Sequence, residues 1–306
     1  MTKVDDYTII GNPKAGQGHG AKVLRYVVED FARRGISHKS RSTDGPGHAT
    51  ELARASKSNI VVAVGGDGTI NEVANGLIGT DKTLGIVPAG SGNDFIKSVN
   101  VPKQPAGAID LLFRGKIREI DAGVVKTSRS RDTGETSESI GRYFANGVGV
   151  GFDAAVAART KEIRFLTGLP LYLLAVFQTL GKYRAPLFDM LIDGEARRSE
   201  NLLIAIGNGP CAGGGFYLTP DAVVDDGMFD MCLIDSVATT TILRLLPLVL
   251  IARHRNAKQV KFLKFKKLSL KSSIPFYVHA DGEIIGQDVS SVEIEIKPKA
   301  LRVICG

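Results

Sequence analysis

The chain has 306 residues, enough for one large domain or two modest ones. Hydrophobic residues make up 43% and charged residues 23%, the balance of a globular protein with a sizeable buried core. The three cysteines, Cys211, Cys232 and Cys305, are odd in number and form no C-x-x-C pair, which argues against a disulfide framework and a zinc site.

The N-terminus, MTKVDDY, runs directly into a strand without a signal-peptide pattern, so a reducing, cytosolic setting is expected. Strands are expected at 8–11, 37–42, 60–64 and 84–87. Helices are expected near 20–34, 49–55, 70–77, 93–99 and 105–113. Such alternation implies a parallel sheet covered on both faces. After residue 116 the pattern changes to β-like segments at 116–125, 142–149, 188–192, 202–207, 228–234, 259–270, 276–280 and 292–297, which read as an antiparallel sandwich-like domain. Residues 127–139, TSRSRDTGETSES, read as a polar hairpin tip or flexible loop. Two apolar helices, 166–183 and 240–252, interrupt this half. They read as core-packed helices or as the lining of a lipid-acyl cleft. The longest apolar runs, 169–177 and 245–252, fall short of the ~20 residues needed to span a bilayer.

The most informative stretch is residues 62–77, VAVGGDGTINEVANGL. A buried-strand run enters Gly65-Gly66-Asp67-Gly68-Thr69, and Ile70, Val73, Ala74 and Leu77 then recur at helical spacing. Glycines on a strand-to-helix turn permit positive φ and a close ligand approach. The following helix start favours an anion. The stretch reads as a phosphate cradle containing one carboxylate, Asp67. A carboxylate beside phosphates implies Mg²⁺ between them. The other reading is a tight βα turn whose aspartate caps the helix. A second turn, in 84–94 (LGIVPAGSGND), would lie beside the first at the C-terminal edge of the sheet, where open α/β sheets bind ligands. Residues 11–16 have P-loop glycine spacing, but Gln17 stands where the lysine belongs, so that motif fails.

GGDGTINEVANGL followed by PAGSGNDF resembles the diacylglycerol kinase catalytic-domain family, in its bacterial lipid-kinase and sphingosine-kinase-like branch. Four further segments match in order: IGNPKAGQG at 10–18, TDGPGHATELA at 43–53, GNGPCAGGGFYLTPDAVVDDGMF at 207–229 and ADGE at 280–283. The resemblance covers essentially the whole chain. It implies an α/β N-terminal domain of NAD kinase/diacylglycerol kinase type and a mainly antiparallel β-sandwich C-terminal domain. The first comprises 1–122 plus 300–306, because the chain end returns to it in the family; the second comprises 123–299.

The resemblance also implies ATP as phosphoryl donor and Mg²⁺ as cofactor. Asn12, Thr43, Gly65, Gly66, Asp67, Gly68, Thr69, Ile70, Asn71 and Ser91 match its nucleotide-binding positions. Asp67 is assigned to the catalytic Mg²⁺ and Asp94 to a supporting position. Val223, Asp226 and Met228 match a separate structural Mg²⁺ site, with Asp225 as a neighbour able to substitute; a plain β-turn is the other reading there. Glu283 matches the proposed base that takes the substrate hydroxyl proton, though an aspartate serves in some relatives. Asp121 matches a carboxylate of the polar network between the domains. His19, His48 and His279 have no metal-ligand spacing and receive no catalytic role.

The expected activity is ATP-dependent transfer of the γ-phosphoryl group to a diacylglycerol-like or long-chain lipid, with the acceptor in the cleft between domains. The rivals are NAD kinase and a non-catalytic nucleotide- or lipid-binding protein on the same scaffold. The net charge of +7 is concentrated in 253–271. That stretch reads as a solvated strand face or as a contact with an anionic membrane surface, where each basic residue contributes about 1 kcal/mol. No nucleic-acid recognition motif accompanies it. Peripheral membrane association is expected. The oligomeric state stays open, a dimer included.

Overall fold

The structure is a computed structural model that describes residues 6–130, 136–138, 141–163, 166, 168–181 and 183–306. The chain forms two compact units, Met1–Ala122 with Pro298–Gly306, and Gly123–Lys297.

The first unit runs β1 (Tyr7–Gly11), α1 (His19–Arg33), β2 (His38–Ser42), α2 (His48–Ala55), β3 (Ile60–Gly65), α3 (Asp67–Leu77), β4 (Thr83–Pro88), α4 (Phe95–Ser98) and α5 (Pro105–Arg114). The strands pair in parallel in the order β2-β1-β3-β4. Near the chain end, Arg302 and Val303 add a further parallel pairing beside β4. β3 and β4 are buried almost throughout and read as near-continuous apolar runs, as a sheet covered on both faces requires. α1 lays Val23, Leu24, Val27 and Phe31 on the sheet, and α3 lays down Ile70, Val73, Ala74 and Leu77.

The second unit contains β5 from its eighth residue onward (Lys116–Ser130), β6 (Thr136–Glu138), β7 (Arg142–Phe144), β8 (Gly147–Gly151), α6 (Phe152–Thr160), α7 (Gly168–Leu180), β9 (Leu187–Ile192), β10 (Glu195–Gly207), β11 (Phe229–Asp235), α8 (Thr239–Leu250), β12 (Val260–Phe265), β13 (Lys267–Ala280) and most of β14 (Glu283–Cys305). Its pairings are antiparallel. Side chains alternate across β10 and β11. Ile204, Ile206, Met231 and Leu233 enter a sandwich core with the fully buried Phe144, Phe188, Phe229, Phe265 and Phe276. Leu203, Ala205, Cys232 and Ile234 face a second core supplied by α6, α7 and α8.

Several boundaries depart from expectation for non-local reasons. The strand expected over 142–149 breaks at Ala145–Asn146, whose N–H groups are taken by Asp281. The strand expected over 259–270 divides at Lys266, because the Asp193 carboxylate accepts the N–H groups of Lys266 and Lys267 and fixes a corner. The polar segment expected as a hairpin tip or loop is partly strand: β5 runs to Ser130 and pairs with β6, while 131–135 and 139–140 lie outside the described residues. The helix α6, from FDAAVAART, was not anticipated.

Candidate active site

In the first unit, β-ladder register brings four strand ends to one edge. Gly11 lies opposite Ser42 and Val64, and Gly65 lies opposite Pro88. The ladder continues one step beyond the strands: Asn12 N–H donates to Val64 O (3.0 Å), Thr43 N–H to Gly11 O (2.9 Å) and Ala89 N–H to Gly65 O (2.7 Å). Asn12, Thr43, Gly66 and the 89–93 turn therefore share the C-terminal edge. This is the position at which the crevice of an open α/β sheet lies.

The two glycine turns touch. A Cβ on Gly90 would come within 2.4 Å of Gly66 Cα, and one on Gly65 within 2.5 Å of the Thr69 side chain. None of Gly65, Gly66 and Gly68 has positive φ; Gly66 is extended, at φ −93° and ψ −173°. Glycine is required here for close approach, not for the left-handed conformation expected from the sequence. Positive φ falls instead on Asn93, at 50°. Its side chain brackets Gly90, accepting from Gly90 N–H (3.2 Å) and donating to Gly90 O (2.7 Å).

Asp67 is the first residue of α3 and does not cap it. Its Oδ1 instead accepts the N–H groups of Asp94 (2.7 Å) and Phe95 (3.2 Å) at the start of α4. Asp67 thus ties the first turn to the second. Burial, and next the nearby Asp94 charge, push the Asp67 carboxyl above the usual carboxylate range, against the pull of its backbone donors. Lys97 Nζ meets Asp94 Oδ1 at 2.9 Å. A divalent cation here would relieve the charge held by Asp67. Mg²⁺ takes hard oxygen ligands, commonly one or two carboxylates together with substrate phosphates, so this donor set fits it. Among the described residues no cluster of three His, Cys, Asp or Glu forms a closed metal site. Asn12 is half-buried, with Oδ1 on Lys14 N–H (3.0 Å), and Ser91 is exposed. Thr69, Ile70 and Asn71 are buried in α3, and the Ile70 N–H is already bonded to Gly66 O.

In the second unit, β13 and β14 are joined through Asp281 and Gly282, at φ 46° and 81°. Both lie in the left-handed region, the requirement of a tight Asp-Gly hairpin turn. The Asp281 carboxylate accepts three backbone N–H groups, from Ala145 (2.9 Å), Asn146 (3.0 Å) and Gly147 (2.7 Å). Asn146 Nδ2 donates to Cys211 O and Asn208 Nδ2 to Ala145 O, both at 2.8 Å. These bonds lace the break after β7, the glycine-rich loop after β10 and the late hairpin together. Glu283, the next residue after the turn, forms an ion pair with Arg142. Beneath it, buried His279 meets Asp153 at 3.2 Å.

The 223–228 turn is arranged differently. Asp226 Oδ1 accepts the Met228 N–H (3.0 Å), and its Oδ2 accepts from Lys264 Nζ (2.7 Å). The same ammonium reaches Asp230 Oδ2 at 3.0 Å. Burial lowers the Lys264 pKa, but its bonds to Asp226 and Asp230 outweigh this and hold it raised. One carboxylate and the carbonyls of Val223 and Met228 are a fitting hard-oxygen set, with Lys264 as the resident counter-charge. Lys264 is therefore engaged by its own fold and is not a free surface cation. Asp121 is fully buried in the first unit, where Oδ1 accepts the Lys299 N–H at 2.8 Å.

Residues 6–125 match the diacylglycerol kinase catalytic domain, and residues 146–305 match the YegS C-terminal NAD kinase beta sandwich-like domain. The chain belongs to the diacylglycerol kinase catalytic-domain family. A diacylglycerol kinase of Mycobacterium tuberculosis (strain CDC 1551 / Oshkosh) is 28% identical over 99% of this chain and 96% of its own. One of Bacillus subtilis (strain 168) is 28% identical over 91% and 89%. A crystal structure from Bacillus anthracis str. Sterne superposes with a TM-score of 0.79 at 25% identity, covering 100% of this chain and 97% of that one. As a member of a kinase family, the chain is a phosphotransferase with an alcohol group as acceptor.

Within the family's motifs, sequence reasoning passed over several residues that build these sites. Glu72 accepts the N–H groups of Gly47 (2.9 Å) and Ala49 (3.1 Å), so α3 holds the start of α2 behind the Thr43 loop. Asp281 and Arg142 fix the Glu283 hairpin. Asp281 and Glu72 stand inside quoted motifs, which was their only signal. Arg142 had none, because its partner is 141 positions away.

Proposed function

We propose that this chain is an ATP-dependent, Mg²⁺-requiring lipid kinase that transfers the γ-phosphoryl group to the hydroxyl of a diacylglycerol-like or long-chain lipid. The observation that carries the reading is the contact of the Gly66 and Gly90 turns with Asp67 bonded across them. It leaves a strand edge bare of side chains at Gly65, Gly66 and Gly90, with the Asp67 carboxylate beside them, which suits phosphates and a cation. In this reading Asn12, Thr43, Gly65, Gly66, Gly68 and Ser91 border the nucleotide. Ile70 and Asn71 contribute by holding α3 in place. Asp67 holds the cation and Asp94 supports it. The cation supplies neutralisation of charge on the phosphates as the phosphoryl group moves.

A lipid hydroxyl is a poor nucleophile, so a positioned base helps. Glu283 takes the hydroxyl proton. Arg142 orients that carboxylate, and Asp281 holds its hairpin to the chain at Ala145–Gly147. At the 223–228 turn, Asp226 with the Val223 and Met228 carbonyls would hold a structural Mg²⁺, in place of the Lys264 ammonium that now donates to the Asp226 carboxylate. The acceptor is met at a bilayer surface, with the protein attached peripherally. No described helix is long and apolar enough to cross a membrane.

The test is purified protein with radiolabelled ATP and Mg²⁺, offered a total lipid extract, detergent-dispersed diacylglycerol and NAD in parallel. The expected result is label in an organic-extractable product and none in NAD. Label in NAD alone would favour the NAD kinase reading. ATP binding without turnover across the lipid panel would favour a non-catalytic binding protein.

A further inference from the structure

The helices α7 and α8 have two apolar faces each, and the protein uses one. Inward, Ala175, Val176, Ile242 and Leu245 pack on the outer side of β10 and β11. Outward, Phe177 is 56% exposed, Leu243 37% and Ile251, just past α8, 59%. Phe177 and Ile251 are the two most exposed large hydrophobic residues among those described. Leu243, the exposed Pro247 and Ile251 follow at intervals of four and form one ridge. A helix facing water normally carries charge there. α7 has no charged residue, and α8 has only Arg244. The loop after β10 links the two: Phe216 stacks on Tyr172 of α7 with centroids 4.3 Å apart, and Tyr217 N–H donates to Val249 O of α8 at 3.1 Å.

The stretch that holds α8 and follows it carries charge of one sign. Between Asp235 and Asp281 the sequence holds nine lysines and arginines and no aspartate or glutamate. Three of the nine are neutralised by the fold: Arg255 by Asp221, Lys261 by Asp235, and Lys264 by Asp226 and Asp230. Arg244, Arg253 and Lys258, on α8 or shortly after it, are exposed and have no ion pair among the described residues. An apolar ridge bordered by unneutralised cations is complementary to an anionic bilayer, whose surface is negative and whose interior accepts Leu, Ile and Phe.

We propose that the α7–α8 face docks on an anionic lipid bilayer. Phe177, Leu243 and Ile251 enter the interface, and Arg244, Arg253 and Lys258 meet the headgroups. This deepens the lipid-kinase reading and rests on it for its purpose, since docking would bring the enzyme to an acceptor that never leaves the membrane.

The experiment is co-sedimentation of the full chain with phosphatidylglycerol or phosphatidylcholine vesicles over a salt series. Melting, sedimentation velocity and kinase activity on a short-chain, water-soluble diacylglycerol serve as controls. The wild type should prefer phosphatidylglycerol and lose binding as salt rises. About 1 kcal/mol per cation near the surface corresponds to roughly fivefold each, so Arg244→Gln/Arg253→Gln/Lys258→Gln should weaken binding about a hundredfold. Phe177→Ser/Ile251→Ser should remove the binding that survives high salt. Both variants should keep the wild-type melting temperature and short-chain activity. Binding equal to wild type in both variants at low salt overturns the proposal. So does a wild-type dimer that Phe177→Ser/Ile251→Ser dissociates without change in vesicle binding, since a second copy then covers the face. Vesicle binding that follows the prediction while no lipid is phosphorylated supports docking and defeats the kinase reading. Short-chain turnover with equal vesicle binding by all variants does the reverse.

Discussion

Replacing Asp67 separates its mechanical role from its charge. Its Oδ1 accepts the Asp94 and Phe95 N–H groups at 2.7 and 3.2 Å, and these open the four-residue helix α4. Helix-start donors have no partner within their own helix. Leaving each unsatisfied costs about 1–3 kcal/mol, so Asp67→Ala should destabilise the protein by about 2–6 kcal/mol. Asp67→Asn retains a carbonyl acceptor for both donors. It weakens two charge-assisted bonds but removes a charge that burial and Asp94 disfavour. Those effects oppose each other, so its stability should stay within about 1 kcal/mol of wild type. The pH dependence follows from the raised carboxyl. With its folded pKa above the ordinary 3.8, the native state binds more protons than the unfolded one in that window. The Asp67 contribution to stability therefore falls as pH rises from the ordinary value through the raised one, and Asp67→Asn should lack that fall. Both variants should lose kcat by about 10³-fold, since a group neutralising transferring charge is worth about that much. Thermal melting from pH 3 to 8 and steady-state kinase assays measure both sides. Near wild-type turnover in Asp67→Asn, or equal stability of the alanine and asparagine variants, would refute the reasoning.

Glu283→Gln keeps shape but cannot take a proton, so kcat should fall by roughly 10²–10⁴ with ATP affinity little changed; a collapse of ATP affinity with kcat intact would remove Glu283 from the acceptor side. Asp281→Ala strands three backbone donors and should lower stability by about 3 kcal/mol or more, with faster amide exchange at Ala145, Asn146 and Gly147. Asp281→Asn should fall between, and unchanged exchange in the alanine variant would contradict the lacing described. Lys264→Met removes the counter-charge of Asp226 and Asp230, so Mg²⁺ should raise the melting temperature of this variant more than that of wild type. An identical Mg²⁺ effect in both would show that no cation competes at the Asp226 turn.

The glycine turn shows how far local pattern reaches. Strand, glycines and helix follow from fewer than twenty residues, and the edge they occupy follows from βαβ alternation. The reason for the glycines does not, because Gly66 is packed against Gly90, whose approach depends on two strands lying in register. The same holds for Asp67. Its place on the turn was legible, while its bonds to Asp94 and Phe95 arise only when both turns reach the same edge. The Asp-Gly hairpin before Glu283 was readable as a turn, but the carboxylate that holds it reaches residues more than 130 positions earlier.

The sequence alone determined the strand–helix alternation of the first unit, the glycine turns, the apolar helices and the family motifs, since periodicity, turn chemistry and motif spacing are set within a few neighbouring residues. Only the tertiary structure decided which charges are spent and which remain. Lys264 looked like its neighbours in a basic run, yet it lies between Asp226 and Asp230, while Arg244, Arg253 and Lys258 stay exposed. Pairing of charges depends on distances in space between residues tens of positions apart. Strand register and helix packing set those distances, and no local pattern encodes them.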